Sequence, residues 1–329
     1  MVQRVNLRKK FKTLSIISIL LLLTTTLASA TLIQPSQALP GGRWVITVTN
    51  TGGYGDINDD GFNETLPGAL YAIDTLTDTV YGPFLTGQLG DANGGLFDIS
   101  VTPDGNTAVI SNFGNSTVFF VDVTNPTIPY LLGAVNCSFF TEDTVITPDG
   151  KYALVTDGGL SHWIASIDIA TRTLIENVTA AAGAQAVAIA PDGTIVTIDY
   201  FGIKIQTLKI DAAGHISNGS VYDIPYSVMN GVNVTERSVN VGIAPDGVTV
   251  LVMPVASNAT LVYRISSYAT LTYVGKVTGL TAFWYVDDPN NNDTAYWRGS
   301  RQSVAFSDDG KKAYVINNGI ADIDAEEWY

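Results

Sequence analysis

An acidic loop near residue 60 carries side chains whose types and spacing suit a hard divalent cation. Oxygen-bearing side chains stand at alternate positions, Asp56, Asn58 and Asp60, and Gly61 follows them. Such oxygens converge on one ion, the glycine permits the sharp turn, and a following carbonyl adds a ligand. The loop therefore predicts a Ca²⁺ site, with a solvated acidic turn as the alternative. The predicted ligands are Asp56, Asn58, Asp60, the carbonyl of Phe62 and Glu64.

Side chains suited to catalysis are few and scattered. The two histidines, His162 and His215, are far apart, and the sequence has no His-x-His cluster, serine elbow, cysteine pair or phosphate-binding loop. The one cysteine, Cys137, can form no intramolecular disulfide and is expected to be a buried, inert thiol. The sequence nominates no catalytic and no organic-cofactor residue.

The first 38 residues have the layout of a secretory signal peptide. A basic segment (Arg4, Arg8, Lys9, Lys10 and Lys12) precedes an apolar run from Leu14 to Leu23. Small-x-small cleavage signals follow, ending at Ala30 and at Ala38. We therefore expect a signal peptide over residues 1–38, cleaved after Ala30 or Ala38, and a folded domain over residues 39–329. A single membrane anchor is the alternative, and no other segment is apolar enough to span a bilayer.

The charge of the exported chain excludes one class of partner. Five of the 17 basic residues lie in the signal segment, which leaves 12 Lys and Arg against 31 Asp and Glu. So acidic a surface repels nucleic acids and anionic lipids. We expect a secreted or cell-surface protein that binds no nucleic acid and has no membrane span once the signal is removed.

Acceptor motifs for N-linked glycans are frequent. The eight Asn-x-Ser/Thr motifs begin at Asn63, Asn115, Asn136, Asn177, Asn218, Asn233, Asn258 and Asn292. Most fall at predicted loops or strand ends, where a glycan would be accessible. The motifs predict a glycoprotein, although Asn and Thr are also abundant in β-turns.

One turn recurs along the chain and reveals a repeat. Pro-Asp-Gly ends at Gly105, Gly150, Gly193 and Gly247, Asp-Asp-Gly ends at Gly310, and Pro-Gly-Gly occupies the same place at Gly42. Proline presets φ, aspartate bonds its own backbone, and glycine accepts positive φ, so each motif predicts a tight hairpin. The glycines are 63, 45, 43, 54 and 63 residues apart.

The segments around each turn predict four short strands per unit. An alternating apolar run precedes the turn, and a β-branched run that ends in Asn or Asp follows it. A third strand ends near Asp74, Asp122, Asp168 or Asp211, and a looser fourth strand closes the unit. We interpret these Asn and Asp residues as turn caps. Four strands per 40–45 residues, roughly, is typical of a β-propeller blade.

These units resemble the YVTN family of β-propeller repeats. The resemblance rests on the Pro-Asp-Gly turns, on Tyr314-Val315-Ile316-Asn317 and on Thr47-Val48-Thr49-Asn50, and covers nearly all of residues 40–318. It implies an exported or surface protein, and related propellers include lactonases and electron-transfer subunits. The loop from Asp56 to Glu64 is similar to the Ca²⁺ loops of integrin-type propellers, with Glu64 in place of their last aspartate.

A long insertion, residues 282–301, carries aromatic residues that suit partner binding. Trp284, Tyr285, Tyr296 and Trp297 lie in it. Aromatic side chains on a long propeller loop stack on sugars or anchor a protein partner, or else plug the mouth of the propeller. The acidic run 287–293 in the same insertion has no turn glycine and predicts a cation only weakly.

The two ends of the repeat leave the blade number open. The first unit is expected to begin directly at its second strand, Arg43 to Asn50, and the last to stop after its second strand. The tail, residues 320–329, resembles a second copy of the acidic loop of unit one. We therefore expect an all-β propeller of about six four-stranded blades. The alternative is a seven-bladed propeller truncated at its C-terminus, with the last blade incomplete.

The function that these features favour is a non-enzymatic binding scaffold outside the cell. A rigid propeller that is stabilised by Ca²⁺ and displays loops to a protein or carbohydrate ligand fits the acidic surface, the glycan motifs and the aromatic insertion. Two alternatives stay open. One is an exported enzyme, either a lactonase-like hydrolase or a redox-associated subunit, and the other is a structural component of the cell surface.

Overall fold

The computed structural model describes most of the chain after residue 35. The described residues are 36–39, 42–49, 54–55, 64–65, 68–90, 95–159, 161–198, 204–224, 238–254, 259–266, 269–278, 303–307 and 310–316. They contain no helix that is long and apolar enough to cross a membrane.

Within the described residues, five antiparallel sheets of four strands follow one another, and each is one blade. Blade 1 contains β1 (Ser36–Ala38), β2 (Trp44–Thr49), β5 (Ala69–Asp74) and β6 (Thr79–Phe84). Blade 2 contains β7 (Leu96–Val101), β8 (Thr107–Asn112), β9 (Thr117–Asp122) and β10 (Tyr130–Asn136). Blade 3 contains β11 (Thr141–Ile146), β12 (Tyr152–Asp157), β13 (Trp163–Asp168) and β14 (Thr173–Thr179).

The remaining strands continue the same order. Blade 4 contains β15 (Ala186–Ile189), β16 (Thr194–Ile198), β17 (Lys204–Ile210) and β18 (Ile216–Asp223). Blade 5 contains β19 (Ser238–Ile243), β20 (Thr249–Pro254), β21 (Ala259–Ile265) and β22 (Leu271–Thr278). The described part of blade 6 is the pair β23 (Ser303–Phe306) and β24 (Ala313–Ile316), and a short pair, β3 (Tyr54–Gly55) with β4 (Glu64–Thr65), extends blade 1.

The repeat predicted from the turns is confirmed as an all-β propeller architecture. The first strands of successive blades lie beside one another, from β1 to β23, so these strands form the inner wall. Residues 317–329 lie outside the described residues. The blade number, six or a truncated seven, and the incomplete last blade therefore stay predictions.

The expectation that the first unit lacks its first strand is wrong. β1 pairs antiparallel with β2, and Gln37 lies opposite Ile46. Pro-Gly-Gly thus joins the first two strands of blade 1, as Pro-Asp-Gly does elsewhere. Removal of residues 1–30 would keep β1, whereas removal of residues 1–38 would delete it and expose the edge of β2.

Both faces of the sheets are buried because the blades stack on one another. Neighbouring residues of one strand point into different interfaces: Ile110 packs with blade 1, and Val109 packs with blade 3. Leu154 packs with blade 4 in the same way, and Val196 packs with blade 5. This two-sided burial explains why the second strands are almost continuously apolar rather than strictly alternating.

The two ends of the strands form two different faces of the propeller. The hairpins between the first and second strands form one face, which we call the turn face. The connections from second to third strands, and from one blade to the next, emerge on the opposite loop face, because the strands of each sheet are antiparallel. The three longest connections, residues 50–68, 224–237 and 279–302, all join strand ends at the loop face.

Hydrogen bonds within the turns confirm the predicted roles of the Asn and Asp residues. In blade 2, Thr102 Oγ1 donates to Asp104 Oδ1 (2.6 Å), which also accepts from the Asn106 N–H, and the Gly105 N–H closes the turn on the Thr102 carbonyl. Blade 3 repeats the pattern at Thr147. The third-strand caps accept backbone N–H groups two or three residues ahead, at Asp74, Asp122, Asp168 and Asp211.

Three turn glycines, Gly150, Gly247 and Gly310, pack against the proline of the preceding blade's turn. Gly247 has φ +67°, and a β-carbon there would lie 2.9 Å from Cδ of Pro191. A β-carbon on Gly150 would likewise lie 3.3 Å from Cδ of Pro103. Glycine is therefore needed for its backbone conformation and also for the close approach of adjacent turns.

We expect Gly247→Ala to destabilise the protein more than Gly42→Ala. Both residues have positive φ, which costs an alanine about 1–2 kcal/mol, but a β-carbon on Gly42 would meet nothing within 4 Å. The contact with Pro191 adds an overpacking cost of about 1–3 kcal/mol. Urea unfolding of both variants measures the difference. Equal losses of unfolding free energy would show that the contact between adjacent turns does not affect stability.

Candidate functional site

The predicted Ca²⁺ loop connects strand β3 to strand β4 in the chain. Strand β3 pairs with β4, with Gly55 opposite Glu64, so the strands on either side of the loop are held together. Residues 56–63, which include Asp56, Asn58, Asp60 and Phe62, lie outside the described residues. Coordination of Ca²⁺ by this loop and Glu64 stays a prediction.

Only some of the other predicted site residues lie within the described part of the chain. Trp284, Tyr285, Tyr296 and Trp297 lie outside the described residues, as do four of the glycan motifs, at Asn63, Asn233, Asn258 and Asn292. The remaining four asparagines have exposed side chains, and three lie on the outermost strands; they are Asn115, Asn136, Asn177 and Asn218.

An aromatic ladder lies on the loop face across the junction of blades 2 and 3. The rings of Phe97 and Phe113 stack with centroids 5.8 Å apart, and Phe113 stacks on Phe140 at 5.0 Å. Phe140 ends the ladder and is 49 % exposed. Offset stacking of this kind is the preferred arrangement of aromatic pairs, and it leaves the terminal ring partly open to solvent.

The backbone around the ladder is fixed by hydrogen bonds and by two glycines. The N–H of Gly158 donates to the Phe140 carbonyl (2.7 Å). A β-carbon on Gly158 would lie 2.6 Å from the Phe113 ring and 2.6 Å from Glu142 Oε2, and one on Gly159 would lie 3.3 Å from the Phe140 ring. The loop after β12 can therefore approach the ladder only because both residues are glycines.

Two aspartates join the inner strands beneath the ladder. Asp98 Oδ2 accepts hydrogen bonds from the N–H (2.8 Å) and Oγ1 (2.9 Å) of Thr144 in the next blade. Asp143 Oδ2 accepts from the Val187 N–H (2.9 Å) in the blade after that. Each aspartate thus binds the first strand of the following blade in the same way.

Two hydroxyl groups complete these junctions. Ser111 Oγ donates to the Glu142 carbonyl and accepts from the Asp98 N–H. Thr156 Oγ1 donates to the Gln185 carbonyl (2.7 Å) and accepts from the Asp143 N–H (3.0 Å). We call these two junctions, each made by an aspartate and a hydroxyl, the polar seams.

The electrostatic environment of the seams disfavours ionisation of the two aspartates. Burial raises the pKa of Asp98, and burial together with the negative charge of Asp98 raises the pKa of Asp143 well above its usual range. The two carboxyl groups lie close together, because the Thr144 N–H that donates to Asp98 Oδ2 (2.8 Å) also donates to Asp143 Oδ1 (3.2 Å). Next to them, Glu142 Oε1 accepts from Gln185 Nε2 (3.1 Å).

The polar arrangement stops after blade 4. The residues that correspond to Asp143 and Thr156 in that blade are Ala186 and Ile198, and both are buried in the apolar interface with blade 5. The candidate site therefore belongs to blades 2, 3 and 4.

Sequence analysis missed the seam aspartates, although a signal for them exists. Asp98 and Asp143 each precede the turn glycine of their own blade by seven residues, as Ala186, Asn240 and Ser303 do in later blades. Comparison of the units position by position would have shown an acid at the same inner-strand position of two consecutive blades.

The residues that sequence analysis weighed for catalysis lie apart from the seams. Cys137 is buried, and burial raises the pKa of its thiol to about 12, which confirms an inert thiol. His215 lies in an outer hairpin, where Nδ1 is 3.5 Å from Glu176 Oε2, and the carbonyl of His162 accepts from the Ala180 N–H.

Comparison with known proteins supports the fold. No family model matches the chain, and no curated protein matches it. A solved structure of a functionally unknown protein from Desulfotomaculum acetoxidans has 19 % identity and a TM-score of 0.59, over 75 % of this chain and 69 % of that chain. A periplasmic gluconolactonase of Pseudomonas aeruginosa has 13 % identity and a TM-score of 0.59, over 86 % and 80 %.

A third solved structure extends the similarity to a different class of protein. The β-propeller domain of Cps50 (Swd1) from Myceliophteria thermophila has 14 % identity and a TM-score of 0.53, over 75 % of this chain and 73 % of that chain. Likeness at this level of identity shows a shared propeller fold and no shared activity.

We expect Thr156→Val to destabilise the protein by about 1–3 kcal/mol, because valine keeps the shape but leaves the Asp143 N–H and the Gln185 carbonyl without their partner. Thr272→Val on the exposed face of β22 is the control and should change stability by less than about 0.5 kcal/mol. Chemical denaturation measures both. A loss for Thr156→Val no greater than that of the control would show that the hydroxyl bridges add nothing.

Proposed function

We propose that this chain is a secreted or cell-surface binding scaffold that presents a carbohydrate or protein ligand-binding site on its loop face. The observation that carries the proposal is the aromatic ladder, which ends in the half-exposed ring of Phe140. A flat, partly open aromatic ring on a rigid support suits the apolar face of a sugar or an apolar side chain of a partner.

The rigidity of this site supports binding rather than chemistry. Thr141 Oγ1 donates to the carbonyl of Asn112 (2.9 Å), and Phe140 is held through its own carbonyl by Gly158. A ligand that meets a ring fixed on both sides loses less free energy to ordering of the site. Two acidic side chains beneath the ladder, Asp98 and Asp143, already accept backbone hydrogen bonds of the next blade.

The loop face also collects the features that sequence analysis assigned to binding. The predicted Ca²⁺ loop and the aromatic insertion with Trp284 and Trp297 join strand ends on this face. Loops that bind ligands are most effective when they project from one side of a rigid scaffold. Export, Ca²⁺ binding and glycosylation are parts of the same proposal.

Binding to an array of immobilised oligosaccharides tests the proposal. We expect the wild-type chain to bind one class of glycan and Phe140→Ala to lose at least about tenfold in affinity, since burial of one aromatic ring contributes more than about 1.4 kcal/mol. Leu174→Ala, an exposed residue on the outer strand β14, is the control and should bind as the wild type does. Equal binding by all three proteins would exclude the ladder as the site.

Lactone hydrolysis is the second candidate function. It is favoured by the Asp98–Asp143 pair, two adjacent carboxyl groups with raised pKa values, which is an arrangement that suits an acid and a base. The similarity to a periplasmic gluconolactonase points the same way. Turnover of glucono-δ-lactone that is abolished in Asp143→Asn and retained in Phe140→Ala would replace the scaffold proposal.

Calcium binding can be tested through stability. We expect Ca²⁺ to raise the melting temperature of the wild-type chain, because an ion that binds only the folded state stabilises it by about 2.7 kcal/mol at a concentration of 100 times its dissociation constant. Asp56→Ala should abolish the shift and Asp78→Ala, an exposed turn residue, should not. A Ca²⁺-dependent shift that survives Asp56→Ala would place the ion elsewhere.

A further inference from the structure

Asp98 and Asp143 meet on one backbone N–H. The Thr144 N–H donates to Asp98 Oδ2 (2.8 Å) and to Asp143 Oδ1 (3.2 Å), and Asp143 Oδ2 also accepts the Val187 N–H (2.9 Å). Two ionised carboxylates can only accept hydrogen bonds and repel each other at this place, whereas one proton allows a hydrogen bond between them. Asp98 belongs to blade 2 and Asp143 to blade 3, so such a proton would join two blades.

Among the described residues, the groups around the pair include no basic partner. A third acid, Glu142 on β11, adds negative charge beside Asp143. The strands β7, β8, β11, β12 and β15 contain no lysine, arginine or histidine, and β1 and β2 contain no charged residue. Tyr152 begins β12 at the turn face and donates to the Ala212 carbonyl (3.0 Å). A second negative charge at the pair would therefore meet no compensating cation in the part of the chain that the structure describes.

We propose that the Asp98–Asp143 pair is a pH-sensitive joint that closes the seam between blades 2 and 3 with one shared proton and loosens it when that proton is lost. Loss of the proton replaces an attractive hydrogen bond by repulsion between two adjacent carboxylates. This joint goes beyond the proposed binding function, because it acts on the blades whether or not a ligand is present.

A rise in pH affects the stability contributed by this pair in the opposite direction from the stability contributed by the turn aspartates. Burial raises the pKa of Asp98 and Asp143, so the folded state binds more protons than the unfolded state above the ordinary carboxyl range of about pH 4. Their contribution to stability is thus complete at low pH and is lost as pH rises through the raised pKa.

The turn aspartates act in the opposite sense. Hydrogen bonds to hydroxyl and N–H groups lower the pKa of Asp104, and a backbone N–H bond does so for Asp168. Their contribution is present at neutral pH and is lost only as pH falls below about 4. Measurements above about pH 5 therefore lie outside the range in which these turn aspartates change stability.

Urea unfolding of the intact chain between about pH 5 and pH 9 tests the joint. The unfolding equilibrium constant of the wild type should rise with pH, by up to about tenfold per unit where the proton is lost. Asp143→Asn and Asp98→Asn should abolish this slope, because the amide donates the bond permanently and its oxygen still accepts the backbone N–H. Asp168→Asn, in an outer turn, should keep the wild-type slope.

A spectroscopic measurement decides the question even where a variant folds poorly. The infrared spectrum of the wild-type chain at neutral pH should contain the carbonyl stretch of a protonated carboxyl group, and alkaline pH should remove it. A neutral spectrum without that band would overturn the proposal. An identical pH slope for Asp143→Asn and the wild type would overturn it as well.

Discussion

The first strand of each blade is the free edge of a sheet, and satisfying its backbone groups is the constraint on which the rest of the structure depends. An exposed edge invites pairing with other chains and costs free energy if it is buried unpaired. The first strands lie side by side around the axis but belong to separate sheets. Side chains must therefore reach from one blade to the next. Asp98 and Asp143 supply acceptors for N–H groups, while Ser111 and Thr156 supply donors for carbonyls.

That constraint separates the two faces of the propeller. On the turn face, the close contact of Gly247 with Pro191 fixes the length and shape of the hairpin. Extra residues have no place there, and the variation in the repeat, from 43 to 63 residues, comes from connections at the loop face. A binding scaffold combines a face of constant geometry with a face whose loops vary in length.

The sequence was sufficient for the repeat, the turns and their caps, because those depend on local chemistry within a few residues. Strand β1 was missed because Ser36–Ala38 is short and overlaps a cleavage signal, so its pairing with β2 is visible only in the sheet. The aromatic ladder and the polar seams were missed for another reason. Phe113 and Phe140, like Asp98 and Thr144, come from different blades, and contacts at such separations depend on how the blades stack.

The chain joins its blades in two different ways, and the difference falls where the candidate binding site lies. Between blades 4 and 5 the junction is apolar, with Ala186 and Ile198 in place of an acid and a hydroxyl. An apolar junction is often as stable as a buried polar one, so polar seams are better explained by specificity than by stability. Directional bonds fix the blades in one register, whereas apolar contacts tolerate sliding. Phe113 and Phe140 stack across the polar seam between blades 2 and 3, and their alignment depends on that register. The seam thereby holds the ladder in the geometry that a ligand would meet.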